Sequence, residues 1–111
     1  MMNLMDIFQE ALKNDLGDHR KLDPETAAFI KVTLANDALF KSIHPSNYDA
    51  VVITEAPVEI GERMFGVIFD DKKKRFSDGD SIITTHVKSI TKLRHELYRV
   101  ETIKTNYLVV M

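Results

Sequence analysis

The chain has 111 residues, with 15 Lys+Arg against 17 Asp+Glu for a formal charge of −2, and it contains neither Cys nor Trp. That length suits one compact domain and not two, and a content of 44% apolar and 29% charged residues is neither disordered nor fibrous. The missing cysteines exclude a disulfide framework, a thiolate metal site and thiol catalysis, and the near-neutral charge gives no global attraction to phosphate backbones or anionic lipid.

Taken in chain order, Leu4, Ile7, Phe8, Ala11 and Leu12 recur at spacings of three and four, which predicts an amphipathic helix over residues 3–16. Gly17 is placed to close it, because glycine enters the left-handed region without a Cβ clash. Asp18 to Leu22 forms a polar link. Asp23-Pro24-Glu25 is a helix start: a capping carboxylate, a proline in the first turn and an acid that complements the helix dipole. The second helix is expected to run from Pro24 to Ile43, stopped by Pro45. Phe29, Val32, Leu39 and Ile43 would form its buried stripe, widened by Ile30, Leu34 and Ala38. Asn36 and Asp37 mark the polar edge of that stripe or a polar pair facing a pocket.

From Tyr48 the pattern changes to short runs rich in Val, Ile, Thr and aromatics. Strands are expected at Ala50 to Thr54, Met64 to Phe69, Ser81 to Ile90, Leu97 to Thr102 and Tyr107 to Val110. Pro57, Gly61 and the Asp78-Gly79 pair punctuate the connections. The fold class is therefore α+β: residues 1–111 form a single domain, a helical hairpin (1–45) packed on a five-stranded antiparallel β-meander (48–111) that closes toward a small open barrel.

Charge is unevenly divided. Residues 1–55 carry 5 basic and 9 acidic side chains, net −4, and residues 56–111 carry 10 and 8, net +2. The run Lys72-Lys73-Lys74-Arg75 is cancelled by Asp70, Asp71, Asp78 and Asp80, so it reads as a solvated hairpin tip. A stripe of Lys88, Lys92, Arg94, Arg99 and Lys104 beside Tyr98 and Tyr107 is the candidate for contact with nucleic-acid phosphates if its strands share a face. His19, His44, His86 and His95 lack metal-ligand spacing. The serines stand in no nucleophile elbow. Thr84 and His86 share a strand face as a surface pair, and no residue is marked as catalytic, metal-binding or cofactor-binding. Met1, Met2 and Met5 offer a soft N-terminal surface.

The segment Arg75-Phe76-Ser77-Asp78-Gly79-Asp80-Ser81-Ile82-Ile83-Thr84-Thr85-His86-Val87, followed by Val100 to Leu108, resembles the C-terminal β region of small accessory proteins of bacteriophages and prophages. There an aromatic-x-Asp-Gly turn leads into an Ile-x-Thr-Ser-x-Val strand; Thr85 replaces the usual Ser. The resemblance covers about the last forty residues and implies a β-meander in a mobile-element protein, with no functional residue carried over.

Complete fold signals beside no catalytic constellation lead to the expectation of a non-enzymatic, cofactor-free accessory protein that binds a host or phage protein. The first six residues carry no positive charge, and the longest apolar runs fall far below the ~18 residues of a membrane span, so a cytoplasmic location without membrane contact is expected. Candidate partner contacts are Asp6, Glu10, Asp15 and Asp18 on the acidic helix face and Tyr107, Val109 and Met111 on the terminal strand. That strand, read as a sheet edge, is expected to mediate homodimerisation. The alternatives are nucleic-acid binding by the basic stripe and a small-ligand or enzymatic site between helix two and the sheet.

Overall fold

A computed structural model describes residues 3–111; Met1 and Met2 lie outside the described residues. Helix α1 spans Leu4–Lys13 and buries Leu4, Met5 and Phe8. It is shorter than the expected 3–16, because the link that follows is locked by reciprocal carboxylate bonds. Asp23 N–H donates to Asp15 Oδ1 at 2.8 Å, and Leu16 N–H donates to Asp23 Oδ2 at 2.7 Å. Leu16 is left 90% exposed. Gly17 serves this link and not a helix end, since a Cβ there would stand 2.6 Å from Asp23 N.

Helix α2 starts as expected, with Asp23 accepting from Thr26 N–H at 2.8 Å, but spans only Pro24–Ala35. Asn36 caps its end, and Asp37 caps a separate short helix, α3 (Ala38–Lys41), by accepting from Phe40 N–H at 2.9 Å. Asn and Asp side chains compete with helical hydrogen bonds for neighbouring backbone groups, so the pair breaks the helix instead of edging its stripe. The break changes which face is buried. Ala27, Ile30 and Leu34 enter the core, whereas Phe29, Val32 and Leu39, expected there, are 50%, 60% and 41% exposed. Ile43 is buried as expected, and Pro45–Asn47 forms a single 3-10 turn.

Six strands follow: β1 (Ala50–Ile53), β2 (Arg63–Phe69), β3 (Ser81–His86), β4 (Ser89–Arg94), β5 (Leu97–Glu101) and β6 (Asn106–Val110). Their spatial order is β3-β2-β1-β6-β5-β4, with β1 and β6 parallel and every other neighbour antiparallel. The α+β class with N-terminal helices stands. The five-stranded antiparallel meander gives way to a six-stranded mixed sheet in which the last strand lies at the centre and not at an edge. Tyr107, Val109 and their neighbours are accordingly buried. Central strands need two apolar faces, and both Ala50-Val51-Val52-Ile53 and Tyr107-Leu108-Val109-Val110 supply them without alternation.

The expected long third strand is two, β3 and β4, joined by Val87 and Lys88 alone. A flat six-stranded sheet is about 24 Å wide, and a two-residue link reaches about 10 Å, so the sheet must roll until its first and last strands meet at a corner. There Val87 N–H donates to Glu62 O and Lys88 N–H to Glu101 O, at 2.8 and 2.7 Å, tying the link to both margins. The roll makes two cores. Ala50, Val52, Met64, Ile68, Val100 and Val109 fill its inner face, while Val51, Ile53, Phe69, Leu97, Leu108 and Val110 pack outward against the helices.

Residues 70–80, between β2 and β3, fold around Asp71. Its carboxylate, fully buried, accepts from the N–H groups of Lys73, Arg75 and Phe76 and from the Arg75 guanidinium at 3.2 Å. Lys72 Nζ donates to Pro45 O and, at 2.6 Å, to Tyr48 O, standing 4.1 Å from the centre of the Tyr48 ring. Lys73 Nζ donates to Lys104 O at 2.6 Å. These lysines are thus tethers between loops and not a free solvated tip. Gly79, at φ +91°, is the first residue of a bulge: its N–H donates to Ile68 O, and Ile68 N–H donates to Asp80 O. That position requires the left-handed region, which glycine enters without strain.

Candidate functional site

The acidic residues expected to meet a partner fall into two groups. Asp6, Asp15 and Asp18 are occupied with the backbone: Asp6 accepts from Asn3 N–H at 3.1 Å, Asp15 from Asp23 N–H, and Asp18 from Arg20 and Lys21 N–H at 2.7 and 3.1 Å. The bonds from Arg20 and Lys21 hold the Asp18 carboxyl below its ordinary value. Glu10 is different. It stands exposed beside a surface trough of about 440 Å³ between α1 and α2, where Ile7, Ala11 and Phe29 supply the apolar lining and Glu25 a second carboxylate. Val32, one helical turn beyond Phe29, extends the apolar surface.

Phe29, Val32 and Glu25 were missed as surface residues because α2 reads as a continuous buried helix. The signal was nevertheless present: its apolar residues surround the axis, with Phe29 and Val32 opposed to Ala27, Ile30 and Leu34. A helix apolar on two sides must cover two surfaces or leave one open.

The terminal-strand candidates do not meet the acidic ones. Tyr107 and Val109 face the inner core and Met111 packs against it, so none is offered to solvent as an edge residue. The basic stripe is also divided. Arg99 is opposite Thr91 and Lys92 opposite Tyr98, adjacent register positions that point to opposite faces. Arg99 Nε is buried 3.5 Å from Glu101, Arg94 donates to Ser42 Oγ and Leu93 O, and the Lys104 carbonyl receives Lys73. Lys88 lies in the corner link. The space between α2 and the sheet, the position of the expected ligand site, is filled by Ile30 and Leu34.

Thr84 does not pair with His86. It is buried, and its Oγ accepts from Met64 N–H at 3.0 Å and donates to Thr85 O, filling a register shift between β2 and β3. Among the described residues, no three His, Asp or Glu side chains converge as metal ligands, and no helix is long and apolar enough to cross a membrane.

Over all 111 residues the chain is 61% identical to a protein of Enterobacteria phage T4, the uncharacterized 12.8 kDa protein of the cd-pseT intergenic region, 99% of which it covers. The chain belongs to the family of that phage protein. The likeness spans all three α-helices and every strand, where the resemblance read from the sequence reached only the last forty residues. No family model matches this phage chain. No solved structure matches it either. Among the described residues of this chain, the trough between α1 and α2 combines an apolar lining with two carboxylates, Glu10 and Glu25.

Proposed function

We propose that this phage protein is a cytoplasmic, non-enzymatic accessory protein that binds another protein, of host or phage origin, through the trough between α1 and α2. The observation that supports this reading is the trough itself: Phe29 and Val32, 50% and 60% exposed, continue an apolar lining flanked by Glu10 and Glu25. Phe29 left half in water forgoes on the order of 1 kcal/mol of burial, which a partner's side chain would recover. The carboxylates, within a half of the chain whose net charge is −4, suit a segment apolar on one side and basic along its flanks.

The test is affinity capture from infected-cell lysate with the wild-type chain, the Phe29→Lys/Val32→Lys variant and a Lys92→Glu control, followed by titration of the captured protein after purification. A partner bound by the wild type and the control, and at least ~30-fold more weakly by the trough variant, supports the proposal. A captured set unaltered by the trough substitutions overturns it.

A further inference from the structure

The two margins of the rolled sheet are unlike. The β4 margin carries Lys92 and Arg94, with Lys88 just before it, and Arg94 is held to Ser42. Inserted charges of this kind discourage strand addition. The β3 margin has no Lys or Arg, and up to its last residue, His86, the run Ser81-Ile82-Ile83-Thr84-Thr85 is uncharged and almost wholly β-branched. Its beginning is covered by the interhelical link, where Ser81 N–H donates to Arg20 O at 2.8 Å and Lys21 bridges Asp80. That cover stops there. Backbone groups of an antiparallel strand alternate between its two sides, so the geometry that turns Ser81 outward to Arg20 also turns the N–H and C=O of Ile83 outward. Ile83 is 59% exposed, beside its cross-strand neighbour Phe65 at 54%.

Grooves flank this free margin. One, of about 560 Å³, is lined by Leu12, Ile53, Phe65 and Ile83, with Arg20 and Glu55 contributing opposite charges. The other, of about 370 Å³, lies between β3 and the β5–β6 turn and includes Phe76, Ile83 and Ile103. An added strand would find outward backbone groups in front of it and a groove for side chains of either parity.

We propose that the β3 margin pairs with the β3 margin of a second copy of this chain, antiparallel about a two-fold axis. In such a pair the residues equidistant from the axis face each other, so two β4 margins would set Lys92 against Arg94 about Leu93, whereas Ser81 to Thr85 of β3 bring no like charges together. The protruding Ile83 of each copy then enters a groove of the other. The dimer keeps the trough between α1 and α2 open, because that surface belongs to different elements.

Sedimentation equilibrium at about 10 μM to 1 mM should show the mass rising from one chain toward two, the range of an interface with few hydrogen bonds and a small apolar surface. Ile83→Lys should weaken association at least ~10-fold. Thr91→Lys on the opposite margin should leave it unchanged. Thr85→Lys, on the same exposed stretch as Ile83, repeats the test should Ile83→Lys disturb folding, and amide exchange at Ile83 in the wild type should slow as concentration rises. A wild-type mass that stays at one chain throughout, or a folded Ile83→Lys or Thr85→Lys variant that associates like the wild type, overturns the proposal.

Discussion

Asp71 is a buried carboxylate in a loop otherwise rich in exposed charge, and its partners explain why it is tolerated. Burial pushes its pKa up, but hydrogen bonds from the Arg75 side chain and backbone and from Lys73 N–H, with the guanidinium charge, outweigh that and hold it below the ordinary 3.8. A folded-state pKa below the unfolded one means that the unfolded chain binds the proton more readily. The stabilisation is therefore complete above about pH 5 and is lost as pH falls through the folded value. Asp78 adds to the same acid limb: burial raises its pKa, and Lys31, 2.7 Å away, together with the Asp70 N–H and the Lys21 charge, more than reverses the effect. Asp71→Asn should cost about 3 kcal/mol at pH 7, since it leaves Arg75 without its charge partner and the loop N–H groups with a poorer acceptor. It should also flatten the decline of stability below about pH 4 in urea melts followed by circular dichroism. An acid limb as steep as that of the wild type would contradict this role.

Helix α1 depends on a residue far away in the chain. Glu96, at φ +63° in the turn joining β4 to β5, accepts from Leu4 N–H and Met5 N–H at 3.0 and 3.1 Å. These are among the N–H groups that a helix start cannot satisfy internally. The turn would be less strained with glycine, but glycine has no carboxylate to hold the helix. Glu96→Gln keeps the length and removes one of the two acceptor oxygens together with the charge, and should cost about 1 kcal/mol. Amide exchange at Leu4 and Met5 should quicken while β1 and β6 amides stay protected, the sign that α1 detaches before the sheet opens. Uniform loss of protection across the chain would instead make Glu96 part of the global core.

For the molecule as a whole, the position of β6 matters most. A terminal strand at a sheet margin can fray with local consequences, but β6 lies between β1 and β5 and contributes Leu108 and Val110 to the outer core and Val109 to the inner one. Deleting residues 106–111 would leave a three-stranded piece, β3-β2-β1, and a two-stranded one, β5-β4, with no strand ladder between them and only the Val87-Lys88 corner bonds to join them. The truncated chain should show no cooperative urea transition and collapsed amide dispersion in its NMR spectrum; a cooperative transition at even half the wild-type midpoint would show that the halves hold together without β6.

Much of this was legible in the residues. The spacing of Leu4, Ile7 and Phe8 places α1, Asp23-Pro24 begins α2, and Asp78-Gly79 marks the turn before β3, because caps, periodicity and backbone sterics act over a few neighbouring positions. The same locality misled at Asn36-Asp37, where two polar residues in an apolar pattern ended a helix and moved Phe29 and Val32 from the expected core to the surface. The acidic helix face was readable as charge, but not that Asp6, Asp15 and Asp18 are consumed by backbone N–H groups, leaving Glu10 beside a trough completed by α2. The sequence by itself determined the class, the helix starts and the uninterrupted apolar runs of β1 and β6. Only the tertiary structure decided that those runs lie side by side in parallel, that the sheet rolls through Val87-Lys88, and that the uncharged margin is β3. Strand order depends on pairings between residues more than fifty positions apart, as between Ala50 and Tyr107, and no local pattern encodes which of several apolar strands will meet.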